Sequence, residues 1–558
     1  MLKEDYERKK NESYIHKSNI MKPLKLLLLL VFQIHGLYAQ KVQITFQRPI
    51  LPVLAGMENN LTGFIRVIKP QGQKVALTGI SYSLSGTTDI KEVERVSFKK
   101  CNAYGGGLAG KATAFSSHLS EENHFRLYVP LKEDTTYWAF TVKLDAQADL
   151  LHRINLNCTA VEVNGEEQIV LKPVYAEGLR VGYPLRMAGQ DGVNTSRIPG
   201  LTTSKKGTLL AIYDARWNSG RDLQGDIDIA LNRSEDGGQT WQPMQRILDQ
   251  KEWGGLPEKF NGVSDACILT DKRTGTIFVA GLWMHGILDR NTGKWIEGLT
   301  EDSPQWIHQW HARGSQPGTG VKETCQFLIT RSEDDGKTWS EPINITAQTK
   351  RPEWWLLAPA PGHGITLQDG TLVFPTQGRD KDGKPFSNIT YSKDGGKTWT
   401  TSNPAYSNTT ECMVVELADG SLMLNMRDNR NHGVKSPNGR RICVTKDLGQ
   451  TWTEHPTSHA VLTEPTCMAS IHRHDYKKKS LLAFMNPNSY RARNQLTLKF
   501  SLDEGMTWPE KYWLLLDEWG GFGYSCITSI DKETLGVVYE GSGAQIVFQK
   551  IKLSDIFK

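Results

Sequence analysis

From residue 41 onward the chain is punctuated by short runs in which apolar and polar residues alternate, separated by clusters of Gly, Asp, Lys and Thr. In VQITFQ (42–47), HFRLYVPL (124–131), YWAFTVKL (137–144) and EEQIVLKPV (166–174) the period is two, which predicts half-buried strands. Further runs, IDIALNR (227–233), TCQFLITR (324–331), SNITY (387–391), RRICV (440–444) and LTLKF (496–500), each enter one recurring octapeptide. Its copies are SEDGGQTW (234–241), SEDDGKTW (332–339), SKDGGKTW (392–399), TKDLGQTW (445–452) and SLDEGMTW (501–508).

The octapeptide has the chemistry of a turn. Its Asp can accept backbone N–H groups, its Gly can take a positive φ, and its Trp can pack into an adjoining sheet. The five aspartates stand 98, 60, 53 and 56 residues apart, roughly the 40–50 residues of a propeller blade. The long first interval predicts an insertion, placed at 284–322. The predicted organisation is therefore all-β: a β-sandwich over 40–180 with no octapeptide, open to a carbohydrate-binding role, then a repeat domain over 181–558.

Composition adds limits. The formal charge is +5, but residues 1–39 hold seven Lys/Arg and four Asp/Glu, so the other 519 residues carry only +2. That excess is too small for a nucleic-acid footprint, and an anion bound here must meet locally placed arginines. Lys22 and Lys25, the apolar run Leu26–Phe32 and the small Ala39 before Gln40 read as a signal peptide over 1–39, with Met21 as an alternative start. The run is shorter than the roughly 20 residues that cross a bilayer, so an exported chain without a transmembrane segment is expected. Eight scattered cysteines form no CxxC pair and read as buried thiols. His472 and His474 have no third ligand nearby, and Gly105–Lys111 lacks the Ser/Thr of a phosphate loop. No catalytic metal or cofactor is expected.

The stretch 196–241, SRIPGLTTSKKGTLLAIYDARWNSGRDLQGDIDIALNRSEDGGQTW, resembles the Arg-Ile-Pro region of bacterial exo-sialidases. The likeness continues through NGVSDACIL, TECMVVELADGSLMLNMR, ARNQLTLKFSLDEGMTW and GFGYSCIT, and the octapeptides resemble the Asp boxes of that family. It implies a six-bladed β-propeller, since five boxes alone set only a minimum. The implied activity is release of terminal sialic acids from sialylated glycans, with retention. Transfer, including intramolecular transfer, and a non-catalytic glycan-binding propeller are the alternatives.

The resemblance implies a carboxylate clamp of Arg197, Arg427 and Arg493, with Arg491 as rival to the last. Arginine suits the task because its planar fork makes bidentate, charge-assisted contacts. The implied nucleophile is Tyr524, activated by Glu411, with Glu416 as the local decoy. A phenol suits a substrate that carries a carboxylate on its anomeric carbon, because an anionic nucleophile would be repelled. The implied acid/base is Asp222, with Asp226 and Asp228 as rivals. Arg216 is expected as the structural or substrate-adjacent arginine of that loop, and Asp265 in the pocket.

Overall fold

The structure, a computed structural model, describes residues 41–557 apart from 104, 166, 172–174, 224, 286–295, 304–314 and 435–437. The expected signal segment and much of the 284–322 insertion lie outside the described residues. Among them, the single α-helix is the four-residue Thr346–Thr349, and no helix is long and apolar enough to cross a membrane.

Six groups of strands form the blades of a propeller, the first two joined into one nine-stranded sheet by the pairing of Ile227 with Gly262. The first comprises Thr195–Thr203, Leu209–Arg216, Ile227–Ser234 and Gln245–Leu248; the second Asn261–Thr270, Ile277–His285, Gln326–Ser332 and Ile343–Asn344. The third is built on Leu372–Arg379 and Pro385–Ser392, with an inner edge broken into Leu356–Pro359 and Ile365–Thr366. The fourth begins with Thr409–Glu416 and Leu422–Asp428, the fifth with Ser470–Tyr476 and Lys479–Pro487. Ser525–Ser529, Thr534–Tyr539 and Ile546–Lys552 make three strands of the sixth, and its fourth is Leu179–Arg186, which precedes the first blade in sequence. Tyr183 pairs with Phe548 and Pro184 with Val547 across this closure.

Each octapeptide joins the third strand of a blade to its fourth. The sixth blade has none because those two strands are not consecutive in sequence. The predicted insertion falls between the second and third strands of the second blade, which explains the long first interval.

The turn is held as its residues predict. Ser392 Oγ accepts from Gly396 N at 2.9 Å and donates to Asp394 at 2.8 Å, while Asp394 accepts from Thr398 N at 2.9 Å and Thr398 Oγ1 at 2.6 Å. The Thr398 hydroxyl and amide hold the Asp394 carboxyl down at about 2. The glycine does more than bend the chain. Gly396 (φ +84°) lies so close to the previous blade that a Cβ there would stand 2.6 Å from the Phe278 ring, and a Cβ on Gly238 would meet Phe548 of the sixth blade at 2.1 Å. The boxes thus latch each blade to its neighbour, and Trp399 packs on Phe278 and Phe374 at ring separations of 6.1 and 5.1 Å.

Residues 43–170 form two sheets, one ordered Gln43–Gln47, Asn60–Ile68, Thr135–Leu144, Val93–Cys101, Ala114–Ser116, the other Glu167–Val170, Asn157–Val163, Ala76–Ser83, Glu122–Pro130. Their inner faces bury Ile65, Ile80, Tyr82, Phe98, Phe140 and Val161. This core continues without a break into Leu201, Tyr213, Val538 and Phe548 of the propeller, and Val42–Lys558 form one compact unit. Val53–Leu54 pairs with Val181–Gly182, and Arg153–Ile154 with Leu179–Arg180. A boundary at residue 180 therefore passes through a strand shared by both parts.

Trp399 is buried whereas Trp452 is only partly so. Trp399→Ala is expected to cost about 3–5 kcal/mol of stability, and Trp452→Ala less. Chemical denaturation of the two variants checks the order; equal losses would contradict inter-blade packing as the cause.

Candidate active site

The mouth of the propeller where the innermost strands begin collects residues from every blade. Three of those strands carry a β-bulge there, seen as register slips between Arg197 and Gly200, Ser264 and Cys267, and Thr409 and Cys412. A bulge adds a residue to one strand and re-aims its side chains. Arg197, Asp265 and Glu411 sit in or at these bulges. The backbone is left-handed at Ile198 (φ +59°) and Asp265 (φ +53°), conformations that non-glycine residues adopt at a cost of order 1–3 kcal/mol.

At the centre lies Tyr524, buried, its Oη donating to Glu411 Oε1. Arg427 Nη1 donates to Glu411 Oε2 at 2.6 Å and to Tyr524 Oη at 3.3 Å. The guanidinium carbons of Arg197 and Arg493 each stand 5.5 Å from the centre of the same phenol ring. Burial, reinforced by the Glu411 carboxylate and opposed by Arg427, pushes the Tyr524 phenol well above its usual range.

The three arginines are held differently. Arg197 Nε donates to Glu540 Oε1 at 2.5 Å. Arg427 is paired with Glu411, and Arg493 donates to the carbonyls of Phe522 (2.9 Å) and Thr466 (3.2 Å). Two carboxylates thus face three guanidinium groups, leaving one positive charge to meet an anion. Arg491 instead lies over Tyr490 at 5.5 Å, so the geometry brings Arg493, and not its rival, to the phenol.

Asp222 sits on the loop after the second strand of the first blade, its side chain 68% exposed and bound to Arg216 Nη2 at 2.7 Å. Arg216 is fully buried and is gripped from behind by Asp214 at 3.0 Å, so it braces Asp222 from below. Burial lifts Asp214 to about 6 against the pull of Arg216. The rival Asp228 is buried, its carboxylate taken by the Trp217 indole at 2.8 Å. Asp226 is half-buried, and burial with Glu258 nearby raises it to about 7. Asp265 is buried, accepts from Gln377 Nε2 at 3.0 Å, and is raised well above the carboxylate range by burial and by Glu411 and Asp222. Glu416 lies at the far end of its strand, where it accepts from Gln368 N.

Sequence reasoning missed Glu540. Besides Arg197, its carboxylate accepts from Ile198 N at 2.9 Å and Tyr524 N at 3.0 Å. One buried group therefore fixes the first arginine, the strained residue beside it and the backbone of the central tyrosine. The available signal was an acid ending the apolar strand TLGVVYE, just as Asp214 interrupts the apolar AIYDAR. His472 and His474, weighed as metal ligands, both bond Ser529 Oγ at 2.8 Å, away from this mouth. The cysteines are unpaired, and all but Cys101 are buried.

Glu540→Gln would set an amide N–H against another donor. Loss of one bond to a charged group, worth about 1.5–3 kcal/mol, predicts roughly a ten- to hundredfold fall in kcat/KM. The inhibition constant of a sialic-acid-like carboxylate should rise in parallel. Unchanged inhibitor affinity in a folded variant would show that Glu540 does not orient Arg197.

Residues 198–511 match the BNR repeat-like domain family. A sialidase of Bacteroides fragilis is 39% identical over 538 residues, covering 91% of this chain and 94% of that protein. Among solved structures, the Hadza microbial sialidase Hz136 superposes with a TM-score of 0.80 at 38% identity, covering 92% of this chain and 99% of that one. An intramolecular trans-sialidase from Ruminococcus gnavus, at 19% identity and a TM-score of 0.52 over 66% of this chain and 97% of that one, shares the fold. Near-complete coverage by relatives of this similarity, with the repeats and the six blades, places the chain in the sialidase family as an exo-α-sialidase.

Proposed function

We propose that the chain hydrolyses terminal α-linked sialic acids with retention, using Tyr524 as nucleophile, Glu411 as its base and Asp222 as general acid/base. The observation that carries this reading is the buried Tyr524–Glu411 hydrogen bond inside a ring of three arginines. Arg197, Arg427 and Arg493 bind the substrate carboxylate by charge-assisted contacts. Because its pKa is raised, the phenol rests neutral beside that anion, and it gains nucleophilicity as Glu411 takes its proton.

Tyr524 Oη attacks the anomeric carbon while the glycosidic C–O bond breaks and Asp222 delivers a proton to the leaving oxygen. Asp222 then removes a proton from the water that attacks the same carbon. The bond between that carbon and Tyr524 Oη breaks, and Glu411 returns its proton to the phenolate. Exposure of the Asp222 side chain leaves it free to reach a leaving group and a water, which burial denies to Asp228.

An activated aryl leaving group departs without protonation. Asp222→Ala is therefore expected to keep far more activity on an aryl sialoside than on sialyl-lactose, whereas Tyr524→Phe and Glu411→Gln impair both. Steady-state kinetics on the two substrates checks this, and equal losses for Asp222→Ala would shift the acid to Asp226. Product identification separates free sialic acid from transferred or anhydro products.

The chain is also proposed to be exported, on the pattern of Lys22, Lys25, Leu26–Phe32 and Ala39. Expression in a bacterial host with sequencing of the mature N-terminus is expected to find Gln40 first; an intact leader on a cytoplasmic protein would refute export.

A further inference from the structure

Between the last strand of the fifth blade, Trp513–Asp517, and the Ser525–Ser529 strand that Tyr524 precedes, the chain runs through EWGGFG (518–523). Three glycines in six residues make a segment that cannot hold its own shape, because glycine has more backbone freedom to lose than any other residue. Contacts from outside must fix it, and they come from the N-terminal sheets. Ile50 N donates to Glu518 Oε2 at 2.9 Å, and Glu518 N donates to Ile50 O at 2.8 Å. Trp519 packs into an apolar cluster with Leu51, Leu61 and Ala139. The Gly-rich turn of the same sheets makes room for it: a Cβ on Gly105 (φ +71°) would stand 3.1 Å from the indole.

From this anchored segment, hydrogen bonds lead directly to the site. Gln495 N donates to Glu518 O at 3.3 Å and Gly521 N to Arg493 O at 3.2 Å, while Arg493 Nη1 donates to Phe522 O at 2.9 Å. Asp517 accepts from Trp519 N at 3.1 Å and from Ser542 N at 2.8 Å, two residues beyond Glu540. Arg197 and Arg427 are each fixed by a carboxylate. Arg493 is held by the carbonyls of Phe522 and Thr466, so its position follows the segment that supplies the first of them. We infer that the N-terminal sheets are a working part of the clamp, with Trp519 as the positioning residue that sets Arg493 through the backbone of 518–522. The inference rests on the clamp role of Arg493 proposed above. It requires no ligand on the N-terminal sheets themselves.

The test uses the full chain. Trp519→Ala removes the indole, and Leu51→Ala loosens its seat from the N-terminal side; each is made alone and on an Arg493→Ala background. Thermal melts fix a temperature at which every variant is folded, and calorimetric titration with the dehydro analogue of sialic acid gives Kd there. With Arg493 present, both variants are expected to weaken binding about tenfold, the effect of losing one charge-assisted bond. On the Arg493→Ala background the same changes are expected to weaken it less than about twofold, because residues that act through one another are not additive. A residue that only supports the fold would lower the melting temperature and leave Kd of the folded protein unchanged. A Kd within about twofold of wild type in either folded variant, or an equal loss with and without Arg493, overturns the inference. Should one variant not fold, the other is judged by the same two criteria. Binding is read without turnover, so a wild-type protein that binds the analogue but cleaves no aryl sialoside would instead refute the hydrolytic reading.

Discussion

Closure of the propeller is the constraint on which everything else depends. The strand Leu179–Arg186 completes the sixth blade against Ile546–Lys552, and the inner strand of that blade, Ser525–Ser529, lies against Thr195–Thr203 of the first. The site takes Arg197 from the first blade, Asp265 from the second, Gln377 from the third, Glu411 and Arg427 from the fourth, Arg493 from the fifth loop, and Tyr524 with Glu540 from the sixth. A ring left open would separate Arg197 from Glu540, which are 343 residues apart in sequence and in contact in space. The N-terminal sheets share this role, because their core runs into the two blades that meet at the seam.

Around the axis the fold solves an electrostatic problem. Three guanidinium groups aimed at one point repel one another, and burying them unpaired would cost several kcal/mol each. Glu540 and Glu411 neutralise two of them, and the carbonyls of Phe522 and Thr466 solvate the third. The arrangement keeps one excess charge for the ligand while each guanidinium is held in place before binding. Pre-organised charge of this kind needs no reorganisation during reaction. Glu411 has a double duty, as counter-ion of Arg427 and as acceptor of the Tyr524 proton, so clamp and nucleophile are linked through one carboxylate.

The strain in the site has the same origin. Ile198 and Asp265 take left-handed backbone at bulges that turn side chains toward the axis, and the Ile198 amide is held by Glu540. Such conformations persist only where surrounding bonds over-determine them. Here those bonds come from other blades, so the inner strands could not hold this geometry in isolation.

Much of this was legible in the chain itself. Period-two alternation and five octapeptides specify strands, turns and repeat length, because hairpin chemistry is local: Asp394 bonds residues no more than four positions away. The site residues were nominated by the resemblance of their motifs to sialidases, and the chemistry of a carboxylate-bearing substrate explains why arginines and a neutral nucleophile suit it. What only the tertiary structure decided is non-local. The outer strand of the sixth blade comes from before the repeats, and it bears no octapeptide to reveal it. Arg493 and Arg491 are equivalent by spacing, and the fold alone turns one to Tyr524 and the other over Tyr490. Glu540 looks like any acid at the end of a strand until ring closure brings it against Arg197, Ile198 and Tyr524. Pairings set by backbone register and bulges across hundreds of residues leave no local pattern, because the energy that selects them is the burial and pairing of charges that meet only once the ring is complete.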